Sequence, residues 1–223
     1  MLELAAGGEL FNLIAQTGRF EERLARHYFK KIINAVAVCH QSGVTHRDLK
    51  AENIMLDQAW NLKIIDFGLS APTEGRDGSG YLKTKLGTFG YMAPEQHLGR
   101  TYQGEKVDIF ACAVILFVML SGHPPFNAAH PKDQYYVALV VKNNAEFWKK
   151  HSSNKTNSDE FYSEQFKDLF EKMVELDPVK RITIEDILAH PWMQHESDFS
   201  QEELNTIFNS RLQKLYSTQM MHQ

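Results

Sequence analysis

The sequence is short of cysteine, of positive charge and of long apolar runs, and each shortage closes off a class of protein. Two cysteines, Cys39 and Cys112, cannot build a disulfide framework. Both sit in apolar, helix-like stretches, which points to buried thiols in a reducing compartment. Lysine and arginine total 24 against 28 aspartates and glutamates, a formal net charge of -4. That leaves no bulk positive surface for nucleic acid. The most apolar stretch, Ile109 to Leu120, is too short to cross a bilayer and is bounded by Asp108 and Ser121, so no membrane partner is expected. The start, MLELAAGGEL, has no basic residues and no long apolar run, so it does not read as a secretory signal. The pattern G-x-G-x-x-G occurs nowhere, and neither does H-E-x-x-H or an EF-hand loop.

What is present is globular. Hydrophobic residues make up 43% and charged residues 23% of the 223, close to the average for packed domains. A chain of this length buries roughly 70% of its unfolded surface. Leu24, Tyr28, Ile32, Ala35 and Cys39 recur at steps of three and four, which predicts a helix over Glu21 to Ser42, stopped by Gly43. Two short apolar runs, Asn53 to Leu56 and Leu62 to Ile65, read as a hairpin. Residues 69–92 form a long loop of the kind that is usually functional. Helices are expected over Gly104–Leu120, Asp133–Lys142, Ser163–Glu175 and Thr183–Ala189, with Lys149–Glu160 a polar connector. A last amphipathic helix starts at Ser200, where Ser200 and Glu203 match a capping box. Its stripe is Leu204, Ile207, Phe208, Leu212 and Leu215. The fold class is mainly α with one small hairpin.

Three short motifs carry the chemistry. They are His46-Arg47-Asp48-Leu49-Lys50-Ala51-Glu52-Asn53, then Asp66-Phe67-Gly68, then Ala93-Pro94-Glu95. Each alone is weak. In this order, with a hairpin between the first two and a long loop between the last two, they are highly specific. The sequence resembles the eukaryotic protein kinases, and within them the Ser/Thr kinases of the calmodulin-dependent type. The resemblance runs from Met1 to about Gln194 and includes Gly87–Glu95, Asp108, Asp177-Pro178 with Arg181, and His190-Pro191-Trp192.

The chemistry of phosphoryl transfer accounts for the spacing. The reaction needs an acceptor held in line, divalent metal on the phosphates and positive charge at the transferring group. Asp48 suits the proton acceptor. Lys50, two residues on in an extended loop, shares its side. Asn53 and Asp66 offer hard oxygen ligands suited to Mg²⁺.

Further roles are what the resemblance implies. Its cofactors would be ATP and Mg²⁺. Glu3 and Ala5 would meet the adenine edge, Met55 would floor the ring, and Glu9 would reach the ribose. Glu9 and Glu52 would hold a basic residue upstream of the acceptor, and Lys50 and Thr88 mark Ser/Thr specificity. Thr84 would be an activating phosphosite, written by an upstream kinase and answered by Arg47. His46 and Phe67 would stack in a spine anchored by Asp108, and Glu95 would pair with Arg181. Thr45, Ala51, Phe110 and Ala113 depart mildly from the family's usual residues.

One departure is large. The family's smaller, strand-rich lobe has a Gly-rich loop, a strand lysine and a helix glutamate, and none is recognisable here. The expectation is a kinase-like C-lobe with its hinge over 1–194, a C-terminal amphipathic tail over 195–223, and little activity in isolation. The alternative is a non-catalytic, pseudokinase-like scaffold. The cytoplasm is the expected location, the nucleus the alternative, with protein substrates as partners.

Overall fold

The computed structural model describes residues 7–140, 144–152 and 161–220, the side chains of 215–220 excepted. Glu3 and Ala5 therefore lie outside the described residues, as does the Leu215 side chain. The chain opens with a two-residue strand β1 (Gly8–Glu9), α1 (Leu10–Thr17) and the long α2 (Glu22–Gln41). Strand β2 (Val44–Thr45) leads to the hairpin β3 (Ile54–Leu56) and β4 (Leu62–Ile64), then β5 (Ala71–Pro72). Helices follow: α3 (Pro94–His97), α4 (Gly104–Ser121), α5 (Gln134–Val140) and α6 (Asn144–Ser152). The last four are α7 (Glu164–Met173), α8 (Ile184–Ala189), α9 (Pro191–Gln194) and α10 (Gln201–Met220).

Helix α4 is the axis of the core. It is apolar on every side, and Val107 through Ser121 are all buried, as expected of a helix surrounded by protein. Helices α2 and α7 pack on it. Phe117 on α4 lies 5.1 Å from Phe170 and 5.8 Å from Tyr162, ring centre to ring centre. On α2 the buried face holds Leu24, Tyr28 and Ile32 as the periodicity predicts, with Phe29, Ile33 and Val36 widening it. Cys112 is buried, but Cys39 sits at the edge of that face and is only half-buried, which corrects the expectation for it.

Four other sequence expectations need correction. The hairpin gains a third strand, with β1 pairing antiparallel to β3 (Glu9 opposite Met55). Two residues carry no periodicity, so the pattern could not show it. The loop over 69–92 contains β5, which pairs with β2 just before the motif His46–Asn53. The supposed connector at Lys149 is the end of α6, which buries Phe147, Trp148 and His151 and exposes Lys149; residues 153–160 lie outside the described residues. Pro191 ends α8 and also opens α9.

Helix α10 is no loose tail. Ser200 and Glu203 make the predicted reciprocal cap, Glu203 N–H to Ser200 Oγ at 3.2 Å and Ser200 N–H to Glu203 Oε2 at 2.7 Å. Leu204 and Phe208 are buried in the main core, with Ile207 and Leu212 packed against it. Arg211 donates to the carbonyls of Gly18 and Arg19, just past the end of α1. Among the described residues no helix is long and apolar enough to cross a membrane.

Candidate active site

The motif His46–Asn53, between β2 and β3, hangs from one buried carboxylate. Asp108, 1% exposed on α4, accepts from the backbone N–H of Arg47 and of His46, each at 2.8 Å. His40 Nε2 lies 2.8 Å from the same group. A carboxylate this deep persists because donors surround it. His46 then reaches the metal triplet: its Nε2 is 2.9 Å from the Ile65 carbonyl, and its Nδ1 accepts from Asp48 N–H. A proton on Nε2 satisfies both contacts. The Phe67 ring lies 4.7 Å from the His46 ring.

Two residues here adopt left-handed backbone, Arg47 at φ 66° and Asp66 at φ 63°. Non-glycine residues rarely do so, and such strain collects where function fixes geometry. Arg47 donates through Nε to the Leu69 carbonyl at 2.6 Å and through Nη2 to Ser70. Thr45, buried beneath, donates to the Ala71 carbonyl. The segment after the metal triplet is thus latched to the catalytic loop at successive carbonyls. Gly104 faces Thr45 so closely that a Cβ there would stand 2.4 Å from its hydroxyl.

Asp48 is the centre of a polar cluster. Its Oδ1 accepts from Thr88 N–H at 2.8 Å and Thr88 Oγ1 at 2.7 Å. Its Oδ2 receives Lys50 Nζ at 3.1 Å, and Lys50 also donates to Thr88 Oγ1 at 3.0 Å. The carboxylate plane is therefore set by the substrate-loop threonine, and Oδ2 is the oxygen left with acceptor capacity. Gly87, at φ 119°, lets that loop approach; a Cβ would sit 3.0 Å from the Arg47 carbonyl.

Asn53 and Asp66 stand at the two ends of the hairpin, and the structure brings those ends together. Ile65 N–H donates to the Asn53 carbonyl at 3.0 Å. Asn53 Nδ2 donates to the Asp48 carbonyl, which leaves its amide oxygen for a ligand. Asp66 is exposed and accepts a long bond from Gly68 N–H. One amide oxygen and one carboxylate, with room for water and phosphate, fit Mg²⁺, which rarely takes an all-protein cage. No group of three or more His, Cys, Asp or Glu placed to hold a metal ion occurs among the described residues.

Farther out, Glu52 accepts from Tyr91 OH at 3.2 Å. Burial and Glu52 together hold that phenol well above its ordinary range. Ala51 keeps an N–H that a proline would lack, and it points to Tyr91 OH at 3.4 Å. Glu9 accepts from Asn12, on the same edge as half-buried Met55. Thr84 is exposed, its carbonyl held by Tyr102 OH at 2.7 Å. Glu95 and Arg181 form a buried two-pronged pair at 2.7 and 3.0 Å. Arg181 also donates to the carbonyls of Glu175 and Lys106, and Phe110 lies beneath its guanidinium. A cavity of about 990 Å³ lies elsewhere, between the α1–α2 corner and α10. Asp48 and Asn53 are buried, whereas Asp66 is exposed between Ile65 and Phe67, which are themselves 40% and 41% exposed.

The family model for the protein kinase domain matches residues 1–193. The chain belongs to the protein kinase domain family. Among curated relatives of this kinase domain, CBL-interacting protein kinase 31 of Oryza sativa subsp. japonica is 44% identical over 194 residues. CBL-interacting protein kinase 30 of the same organism is 41% identical over 194 residues, and number 29 is 40% identical over 197. The alignment to the first covers 87% of this kinase chain and 40% of that protein. The chain thus spans about two fifths of the length of the curated relatives it matches.

Proposed function

We propose that this chain forms the larger lobe of a Ser/Thr protein kinase that transfers the γ-phosphoryl group of Mg²⁺-ATP to protein hydroxyls. The observation that carries the reading is the Asp48–Lys50–Thr88 cluster beside the joined ends of the hairpin. Asp48 Oδ2 takes or orients the proton of the attacking hydroxyl. The hydroxyl oxygen of the substrate forms the new bond to phosphorus as the bond to the ADP oxygen breaks. Lys50 supplies positive charge beside it. Asn53 and Asp66 are the residues that would hold Mg²⁺, which would supply positive charge to the phosphates. Positioning and charge are nearly all the catalysis in this class.

The upper face is open, and the apolar Ile65 and Phe67 are exposed on it. We read that face as the seat of a smaller lobe that covers the nucleotide. Glu9 and Glu52 supply negative charge for a basic residue upstream of the acceptor. Leu69, beside the metal triplet, favours serine over threonine by leaving less room for the extra methyl. Thr84 is the activating phosphosite, exposed and flanked by Lys83 and Lys85. We read the chain as a cytoplasmic signalling enzyme that an upstream kinase activates; its similarity to proteins named as protein kinases supports protein substrates. The test is Mg²⁺-dependent phosphate transfer from ATP to a serine peptide with arginine upstream, in wild type and Asp48→Asn. Acidic or proline-directed preference on a peptide array would overturn the specificity.

A further inference from the structure

The hairpin that carries Asn53, Met55 and Asp66 has three paired residues on each strand. A ribbon that short is marginal by itself. Its inner face is anchored, since Ile54 and Leu56 are fully buried. Its turn is anchored by something else. Trp60, at the tip, holds left-handed backbone at φ 60°. Its ring lies nearly parallel to that of Phe208 on α10, centres 4.3 Å apart at 28°. Its indole N–H donates to Asn205 Oδ1, also on α10, at 3.0 Å. Its carbonyl accepts from Tyr28 OH on α2. Phe208 is itself fully buried against Phe20 and Tyr28.

Two of the three anchors on the tip thus come from a helix about 145 positions away in sequence. A short ribbon held at its tip transmits that hold to its other end, where Ile65 N–H closes onto the Asn53 carbonyl. We propose that Trp60 is a positioning residue through which α10 braces the hairpin and, with it, the metal-binding pair Asn53 and Asp66. Where that pair acts is taken from the kinase reading; the brace itself is a matter of packing. The proposal gives α10 a supporting sign, so loosening it weakens the site. An autoinhibitory helix would do the reverse.

The test is amide hydrogen exchange on residues 1–223, read separately over the hairpin and over α4. Trp60→Asn removes the ring and the indole donor and keeps a residue that tolerates left-handed backbone. Asn205→Ala removes the hydrogen bond alone, and Glu202→Gln, on the exposed face of α10, is the control. Exchange across Asn53–Ile65 should rise at least tenfold in Trp60→Asn, less in Asn205→Ala and not at all in Glu202→Gln, with α4 unchanged. In full-length protein, Trp60→Asn should raise KM for Mg²⁺-ATP several-fold and alter kcat less. Unchanged hairpin exchange, exchange rising equally in α4, or activity that increases in Trp60→Asn would each overturn the brace. Hairpin-selective exchange in a wild-type protein that never binds Mg²⁺-nucleotide would support the brace and overturn the kinase reading.

Discussion

Thr88 donates twice to one oxygen of Asp48, from its backbone N–H at 2.8 Å and its hydroxyl at 2.7 Å. The substrate loop and the proposed base are therefore one unit. Thr88→Val keeps the shape but removes the hydroxyl from both Asp48 and Lys50. Losing a hydrogen bond to a charged group costs about 1.5–3 kcal/mol, so turnover should fall about 10- to 100-fold. Thr88→Ser should retain most of it. Steady-state kinetics of the two variants in full-length protein checks this, and equal rates for valine and serine would count against the cluster.

Asp48→Asn should depress kcat by about 10²–10⁴-fold, the range for a positioned proton acceptor, with nucleotide affinity little changed. Asp66→Asn should instead raise the Mg²⁺ concentration needed for half-maximal rate. A metal titration of both variants separates the roles.

Arg181 spends its donors on Glu95 and on two backbone carbonyls while 1% exposed. Glu95→Gln leaves that guanidinium buried without its counter-charge. Breaking such a pair from one side costs about 3–5 kcal/mol. Thermal unfolding should show a large fall in midpoint for Glu95→Gln and little change for exposed Glu185→Gln.

What was legible in the sequence was what chemistry or burial constrains locally. The motifs His46–Asn53 and Asp66–Gly68 stand out because the proposed phosphoryl transfer constrains residue type and spacing together. Helices α2 and α10 stand out because their buried faces repeat at helical spacing, and α4 because it is apolar almost throughout. The end of α6 was readable in principle from Phe147, Trp148 and His151, but Lys149 and Lys150 between and beside them suggested a connector. Trp60 gave no local signal, because its partners Asn205 and Phe208 are distant in sequence. Likewise, Thr45 and Gly104 are small for each other's sake, which only their contact reveals.

Burial lowers the affinity of two imidazoles for protons. His27 and His97 both sit below the ordinary range, with desolvation the main cause and neighbouring lysines adding to it. The folded state thus binds fewer protons than the unfolded one. Their contribution is complete above the unfolded imidazole value of about 6.5 and is lost as pH falls through the depressed folded values. The unfolding midpoint should drop between pH 7.5 and pH 5.5, and by less in His27→Gln. A midpoint that rises on acidification would contradict the sign.

The central claim is that Asp48 and its neighbours are kinase machinery whose nucleotide must be covered by a second lobe. The direct measurement is phosphate transfer from Mg²⁺-ATP to a basic-directed serine peptide. It compares residues 1–223 alone, the same chain behind a relative's upper lobe, and that fusion with Asp48→Asn. The account predicts little transfer by the first, clear transfer by the second and a loss of at least about a hundredfold in the third. Robust transfer by 1–223 alone, or transfer by the fusion that ignores Asp48→Asn, would contradict it.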